Sequence, residues 1–219
     1  MAVAYVSDVE NLDNTLAAST LTLSSVVGSG GDLLIAFTTW RRNSAQTCSG
    51  ATYNGAAMTR IGSDLEGEGG LAAFYTIAPA GTANVVFTYS ANALSQGTGI
   101  VFSGAHQSAP IGTTASTSPV AGTSTATGAV TSAADGLCVD CLYLRTSSAG
   151  LAADGAQTQR SAQDSAGTIF HRTSTEPGAA SVTMSWSWTN SNQYAHLVIP
   201  IAAAAAAATA KRLLLMGVG

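Results

Sequence analysis

Three groups of side chains have types and spacings that could carry chemistry. Cys138 and Cys141 show the i, i+3 spacing of a redox or zinc pair. On a strand, however, those positions point to opposite faces, and no second cysteine pair or close histidine completes a four-ligand zinc site. The total of three cysteines, with Cys48 the third, is odd and low, which argues against a disulfide framework. All three are expected to be buried thiols. Trp186 and Trp188 form the second group, with Asn190, Asn192 and Tyr194 just beyond them. An aromatic ladder with amides at its end suits stacking on a pyranose ring, because indole has an apolar face and an N–H to share. Val182 and Met184 share the same alternation, so the large face is expected to be core, with a sugar-binding edge as the alternative. Asp64, Glu66 and Glu68 lie between Gly62 and Gly70. They supply oxygen ligands of the kind calcium takes, but without EF-hand spacing, so a solvated acidic loop is expected there.

Catalytic patterns are missing. The sequence has no Gly-x-Ser-x-Gly elbow, His-Glu-x-x-His helix, phosphate-binding loop or dinucleotide fingerprint. Its three histidines, His106, His171 and His196, stand far apart, and the last two alternate with apolar neighbours, which points to structural or surface roles. The four glutamates, at 10, 66, 68 and 176, do not pair in the sequence as glycosidase carboxylates would have to in space. No catalytic residue, cofactor or metal is therefore nominated, and a non-enzymatic role is expected.

The elements that must position these residues are strands. Gly31 to Trp40 is apolar at nearly every position through Phe37, which a strand tolerates when both faces are covered. Asp135 to Leu144 repeats the plan, with Leu137, Val139, Cys141 and Tyr143 on one face and Cys138, Leu142 and Leu144 on the other. After the first of these come Phe74-Tyr75, a Pro79-Ala80-Gly81 turn, the alternating strand Val85, Phe87, Tyr89, and Ile100-Val101-Phe102. After the second come Ile169-Phe170, a Pro177-Gly178 turn, the alternating strand Val182 to Trp188, and Leu197-Val198-Ile199. This pseudo-repeat predicts an all-β, two-sheet antiparallel sandwich, jelly-roll-like, built from two similar halves over residues 1–201. Strands are also expected over Val3–Val6 and Leu21–Val27, joined by a polar turn. Asn54-Gly55 predicts a type I′ hairpin, since both residues accept positive φ. The Ser/Thr/Ala/Gly stretch from Thr113 to Thr131 reads as a linker or as an edge strand.

Composition narrows the partners. Only 9% of residues are charged while 46% are hydrophobic, and mean hydropathy is +0.26. So sparsely charged a surface suits life inside an assembly. The formal net charge is −4, and basic residues pair only at Arg41-Arg42 and Lys211-Arg212, so nucleic acid is not an expected partner. The N-terminal segment carries Asp8, Glu10 and Asp13 in place of a positive start and a long apolar core, and does not read as a signal peptide.

The last segment breaks with what precedes it. Residues 202–219 open with an unbroken alanine run, Ala202 to Ala208, and continue through Lys211, Arg212, Leu213, Leu214, Leu215 and Met216. Alanine favours a helix, of roughly 22 Å over fifteen residues, and an extended arm is the other reading. The stretch is too short and interrupted to span a bilayer. Lys211 to Met216 are expected to anchor the chain to another copy or another protein, with the four apolar side chains contributing on the order of 6 to 10 kcal/mol before ordering costs.

Several stretches together carry a resemblance. They are Gly-Asp-Leu-Leu-Ile-Ala at 31–36, Thr-Tyr-Asn-Gly-Ala-Ala-Met-Thr-Arg-Ile-Gly at 52–62, Phe-Tyr before Pro-Ala-Gly-Thr-Ala at 79–83, and Phe-Ser-Gly-Ala at 102–105 followed by Pro110-Ile111-Gly112. The chain resembles a jelly-roll-like β-sandwich domain of tailed-bacteriophage structural proteins and bacterial surface proteins, over about residues 25–202. The resemblance implies a virion protein, accessory or decorating, made in the host cytoplasm. Its partners would be other virion proteins or copies of itself, and a host surface glycan if Trp186, Trp188, Asn190, Asn192 and Tyr194 form a binding edge. A carbohydrate-binding module or adhesin is the alternative role. The motifs are turn and core patterns, so they carry a fold and transfer no catalytic residue.

Overall fold

A run apolar at nearly every step belongs between two layers, and β3 (Asp32–Arg41) occupies that place: Asp32 through Trp40 are all buried. In the computed structural model, residues 1–13, 18–41, 46–66, 69–78, 80–165 and 168–205 are described, and every regular element among them is a strand. In chain order β3 is preceded by β1 (Ala4–Asp13) and β2 (Thr20–Gly28) and followed by β4 (Cys48–Tyr53), β5 (Ala56–Ala57), β6 (Thr59–Glu66), β7 (Gly69–Ala78), β8 (Gly81–Tyr89) and β9 (Leu94–Ser103). The second half holds β10 (Ala115–Val130), β11 (Leu137–Arg145), β12 (Ala152–Ala153), β13 (Thr158–Ser165), β14 (Ile169–Pro177) and β15 (Val182–Ile201).

These strands make three antiparallel sheets, ordered β1-β9-β3-β7-β6, β2-β8-β4-β5 and β10-β15-β11-β14-β13, with β12 on β15. The period of two along β3 determines their stacking. Leu34, Ala36 and Trp40 pack on Leu21, Leu23, Val85 and Phe87 of the β2-β8-β4-β5 sheet. Leu33, Ile35 and Phe37 pack on Val139, Cys141, Tyr143 and Leu197 of the β10–β15 sheet. The third sheet then covers its own far face. Val182 to Ser187 of β15 pair with Thr125 to Val130 of β10, the ladder slips, and Tyr194 to Ile201 of the same strand return beside β11. The first arm lays Trp186 and Trp188 on Leu142 and Leu144, and Val182 and Met184 on Cys138 and Val198.

The antiparallel sandwich expected from the sequence is present, with three sheets in place of the expected two: each half builds two layers of its own, and the halves are stacked through their inner sheets. The halves match strand for strand, β9-β3-β7-β6 against β15-β11-β14-β13. β10 does as one strand what β1 and β2 do as two, and β15 does what β8 and β9 do as two. Contacts between the halves are reciprocal: β3 meets β14 as β11 meets β7, β9 meets β13 as β15 meets β6, and β1 meets β13 as β10 meets β6. That is the pattern of a two-fold, isologous interface. The register matches too, with an exchange of volume. Trp40 stands opposite Gly70 in the first half, and at the equivalent place in the second Leu144 stands opposite Phe170.

Local expectations fare unevenly. Asn54 and Gly55 have φ of 51° and 78°, as the type I′ turn requires, and Tyr53 pairs with Ala56 across it. Thr113 to Thr131 is resolved in favour of an edge strand, β10. The polar turn expected after Val6 is instead strand through Asp13, paired with β9. The acidic segment expected as a loop is strand through Glu66, with residues 67–68 outside the described set. Ala202 to Ala205 leave the body without helix, tied by an Ala203–Ala105 bridge. The rest of the tail lies outside the described residues.

Candidate functional site

The alternation that puts Cys141 and Tyr143 against the first half turns Asp140 toward the overlying arm, fully buried. A carboxylate there must be matched by donors, and five reach it. Ser174 supplies its backbone N–H at 2.9 Å and its hydroxyl at 2.6 Å to Oδ1. Trp186 Nε1 at 2.7 Å, His196 Nε2 at 2.8 Å and Gln157 Nε2 at 3.4 Å donate to Oδ2. Gln157 also donates to Ser174 Oγ at 2.6 Å and accepts the Ser185 N–H at 2.6 Å. The network joins β11, β14 and both arms of β15.

Serine, histidine and aspartate meet here, but not as a nucleophilic relay. In a triad the imidazole lies between hydroxyl and carboxylate, whereas Ser174 and His196 both donate to the carboxylate. His196 Nδ1, the nitrogen that would face a nucleophile, is buried without a hydrogen-bond partner. The arrangement clasps the folded-over arm to the sheet beneath.

A second polar cluster lies between the halves. His171 places Nε2 2.9 Å from Thr98 Oγ1 and Nδ1 3.1 Å from Thr39 Oγ1, with Cys141 Sγ at 3.8 Å. Gln163 Nε2 donates to Gly97 O at 2.8 Å and to Thr98 Oγ1 at 3.2 Å. Burial, reinforced by the Arg172 charge, lowers the His171 pKa to about 3, so the ring is neutral. Burial likewise raises the Cys141 thiol well above its ordinary range. No group of three or more His, Cys, Asp and Glu side chains is placed to hold a metal among the described residues.

The aromatic ladder is core. Trp186, Trp188, Tyr194 and Asn192 are all buried, and of the five residues of the expected glycan edge only Asn190 is exposed. Trp188 donates from Nε1 to Thr123 O at 3.1 Å, and its ring meets Tyr194 edge-on with centroids 5.4 Å apart. Asn192 donates to Ser147 O at 2.9 Å and accepts from Thr146 Oγ1 at 3.0 Å. Rings already covered on both sides cannot stack on sugar, so the aromatic glycan edge is corrected to a packing face. Cys138 and Cys141 are free, buried, and in different core clusters on opposite sides of β11. His106 Nδ1 accepts the Ala109 N–H at 3.1 Å and closes a turn. Lys211 to Met216, the expected anchor, lie outside the described residues.

Sequence reasoning passed over Asp140, Gln157 and Ser174. The available signal was a lone aspartate in a strand apolar on both faces, a position that cannot be left without donors. Comparison with known proteins finds no matching family model, no matching curated relative and no matching solved structure.

Proposed function

We propose that this chain is a non-enzymatic structural protein of a tailed-phage virion, displayed on the capsid or tail and held to the particle by its C-terminal tail. The observation that carries this reading is where the chain leaves the body. Ala204 N donates to Gly104 O at 2.8 Å, and the Met1 ammonium donates to Ala204 O at 3.4 Å. The tail therefore departs from a fixed point at the end where β3 and β11 begin, and whatever grips it holds that end and leaves the opposite end outward. Two further features support the role. The buried ionisable groups Asp140, His196 and His171 are engaged in joining layers, and a surface with so few charges favours contact with other proteins.

The test is fractionation of a phage-producing culture that carries this gene. The full chain is expected to band with particles on a density gradient, and a chain ending at Ala205 is expected to stay folded and remain in the soluble fraction. A truncated chain that bands with particles as the full chain does removes the anchoring role, and a full chain absent from every particle band removes the virion reading.

A further inference from the structure

The edges of the three sheets are not alike. The edge strand β1 carries Asp8, Glu10 and Asp13, β13 carries Arg160 and Asp164, and β6 carries Arg60 and a register shift between Ile61 and Leu65. β2 is uncharged but irregular, with Ser25 at φ 63° and a register shift between Leu23 and Val26. β4 is closed by β5, by Met58 N donating to Ala51 O at 2.9 Å and by Arg60 donating to Cys48 O at 2.6 Å. Charges, bulges and covers of these kinds keep an edge from pairing with another chain.

From Thr125 onward β10 has none of them, its last register shift falling between Thr123 and Thr125. From Gln107 to Ala134 the sequence contains no Asp, Glu, Lys, Arg or His. Thr125 to Val130 pair with β15 residue for residue on one side, and β10 ends its sheet on the other. Ala126 and Val130 are buried beneath, while Ser124, Thr125, Thr127 and Ala129 are exposed. The stretch from Thr125 to Val130 presents roughly 20 Å of backbone with half of its amides and carbonyls pointing outward. A cavity of about 290 Å3 lined by Thr113, Thr114, Ala129, Val130, Thr131 and Ser181 opens beside its end.

We infer that this edge pairs with the same edge of a second copy, antiparallel about a two-fold axis, continuing the outer arm of one copy into that of the other. Antiparallel self-pairing sets residue i of one copy against residue j of the other and j against i, so the side chains that meet all come from this one stretch. At β1 that opposes carboxylates, whereas at Thr125–Val130 it opposes threonine, alanine, glycine and valine, which bring no like charges together. Main-chain hydrogen bonds supply the contact, as when a strand is added to any open sheet edge. The inference does not depend on where the chain is displayed or on the tail.

The experiment is light scattering on the full chain over a concentration series, with its Thr125→Lys/Thr127→Lys variant and the matching Thr125→Glu/Thr127→Glu variant. The expected result is that the natural chain reaches twice the 21.8 kDa chain mass, that each variant stays at the single mass, and that mixing the two variants restores the double mass. Hydrogen exchange on the natural chain gives a second readout independent of any variant's folding, with protection of Thr125 to Val130 rising as concentration rises. A natural chain that stays at single mass throughout overturns the inference. So does an oligomer that both variants retain, or protection that does not change with concentration.

Discussion

Asp140 and His196 meet at 2.8 Å with both side chains sealed from solvent, one on β11 and the other on the returning arm of β15. The same carboxylate holds Trp186 of the outgoing arm at 2.7 Å, so one aspartate joins the two ends of a strand that bends back over itself. Asp140→Ala leaves four polar side chains and an amide without their acceptor. It is expected to destabilise the fold by about 3 to 5 kcal/mol, because several buried donors lose their acceptor at about 1 to 3 kcal/mol each. Denaturant unfolding of the variant measures the loss, and a cost below about 1 kcal/mol would show that the arm is held by packing alone.

His171 makes stability depend on acid. Its ordinary pKa of 6.5 is lowered to about 3 in the folded chain by burial. Between those values the unfolded chain binds a proton that the folded chain does not, so stability falls as pH drops through that window, by up to about 1.4 kcal/mol per pH unit. Glu10 and Glu176, whose pKa values burial raises, act in the opposite sense from their ordinary value upward. His171→Gln keeps polar groups near Thr39 and Thr98 and removes the titration. Urea midpoints measured from pH 7 to pH 4 are expected to fall less in this variant than in the natural chain, and equal slopes in the two proteins would assign the acid sensitivity elsewhere.

Trp40 occupies the space that a side chain at position 70 would need, since a Cβ on Gly70 would fall within the indole ring. Gly70→Ala is expected to cost about 1 to 3 kcal/mol by overpacking. In a Trp40→Leu background, which imitates Leu144 of the second half, most of that cost should vanish. A double-mutant cycle checks this, and simple additivity would mean that the ring and the glycine are not coupled.

The parts of the fold legible in the sequence were those whose side chains are sorted by burial. β3 is apolar on both faces because sheets lie on both sides of it, and the alternation from Val182 to Trp188 follows an arm with one face on the core. Asn54-Gly55 was legible because few residues accept positive φ at both turn positions. The strands extending to Asp13 and to Glu66 were not. They are polar sheet edges held by backbone pairing to β9 and β7, and a backbone ladder leaves no trace in residue type. Asp140 was hidden for a different reason. Its donors come from positions 157, 174, 186 and 196, and only the folding back of β15 brings them together.

The reciprocal contacts between the halves have a consequence for how the molecule responds to dilution. A two-fold interface between separate chains forms only above its dissociation constant, and its contribution to stability grows with protein concentration. Here the crossing from β9 to β10 tethers the two sandwiches, so their association is set by an effective local concentration that the solution cannot change. The central layer of Leu33, Ile35, Val139 and Ile199 therefore behaves as a permanently occupied binding site, as secure in one isolated molecule as in a crowded array.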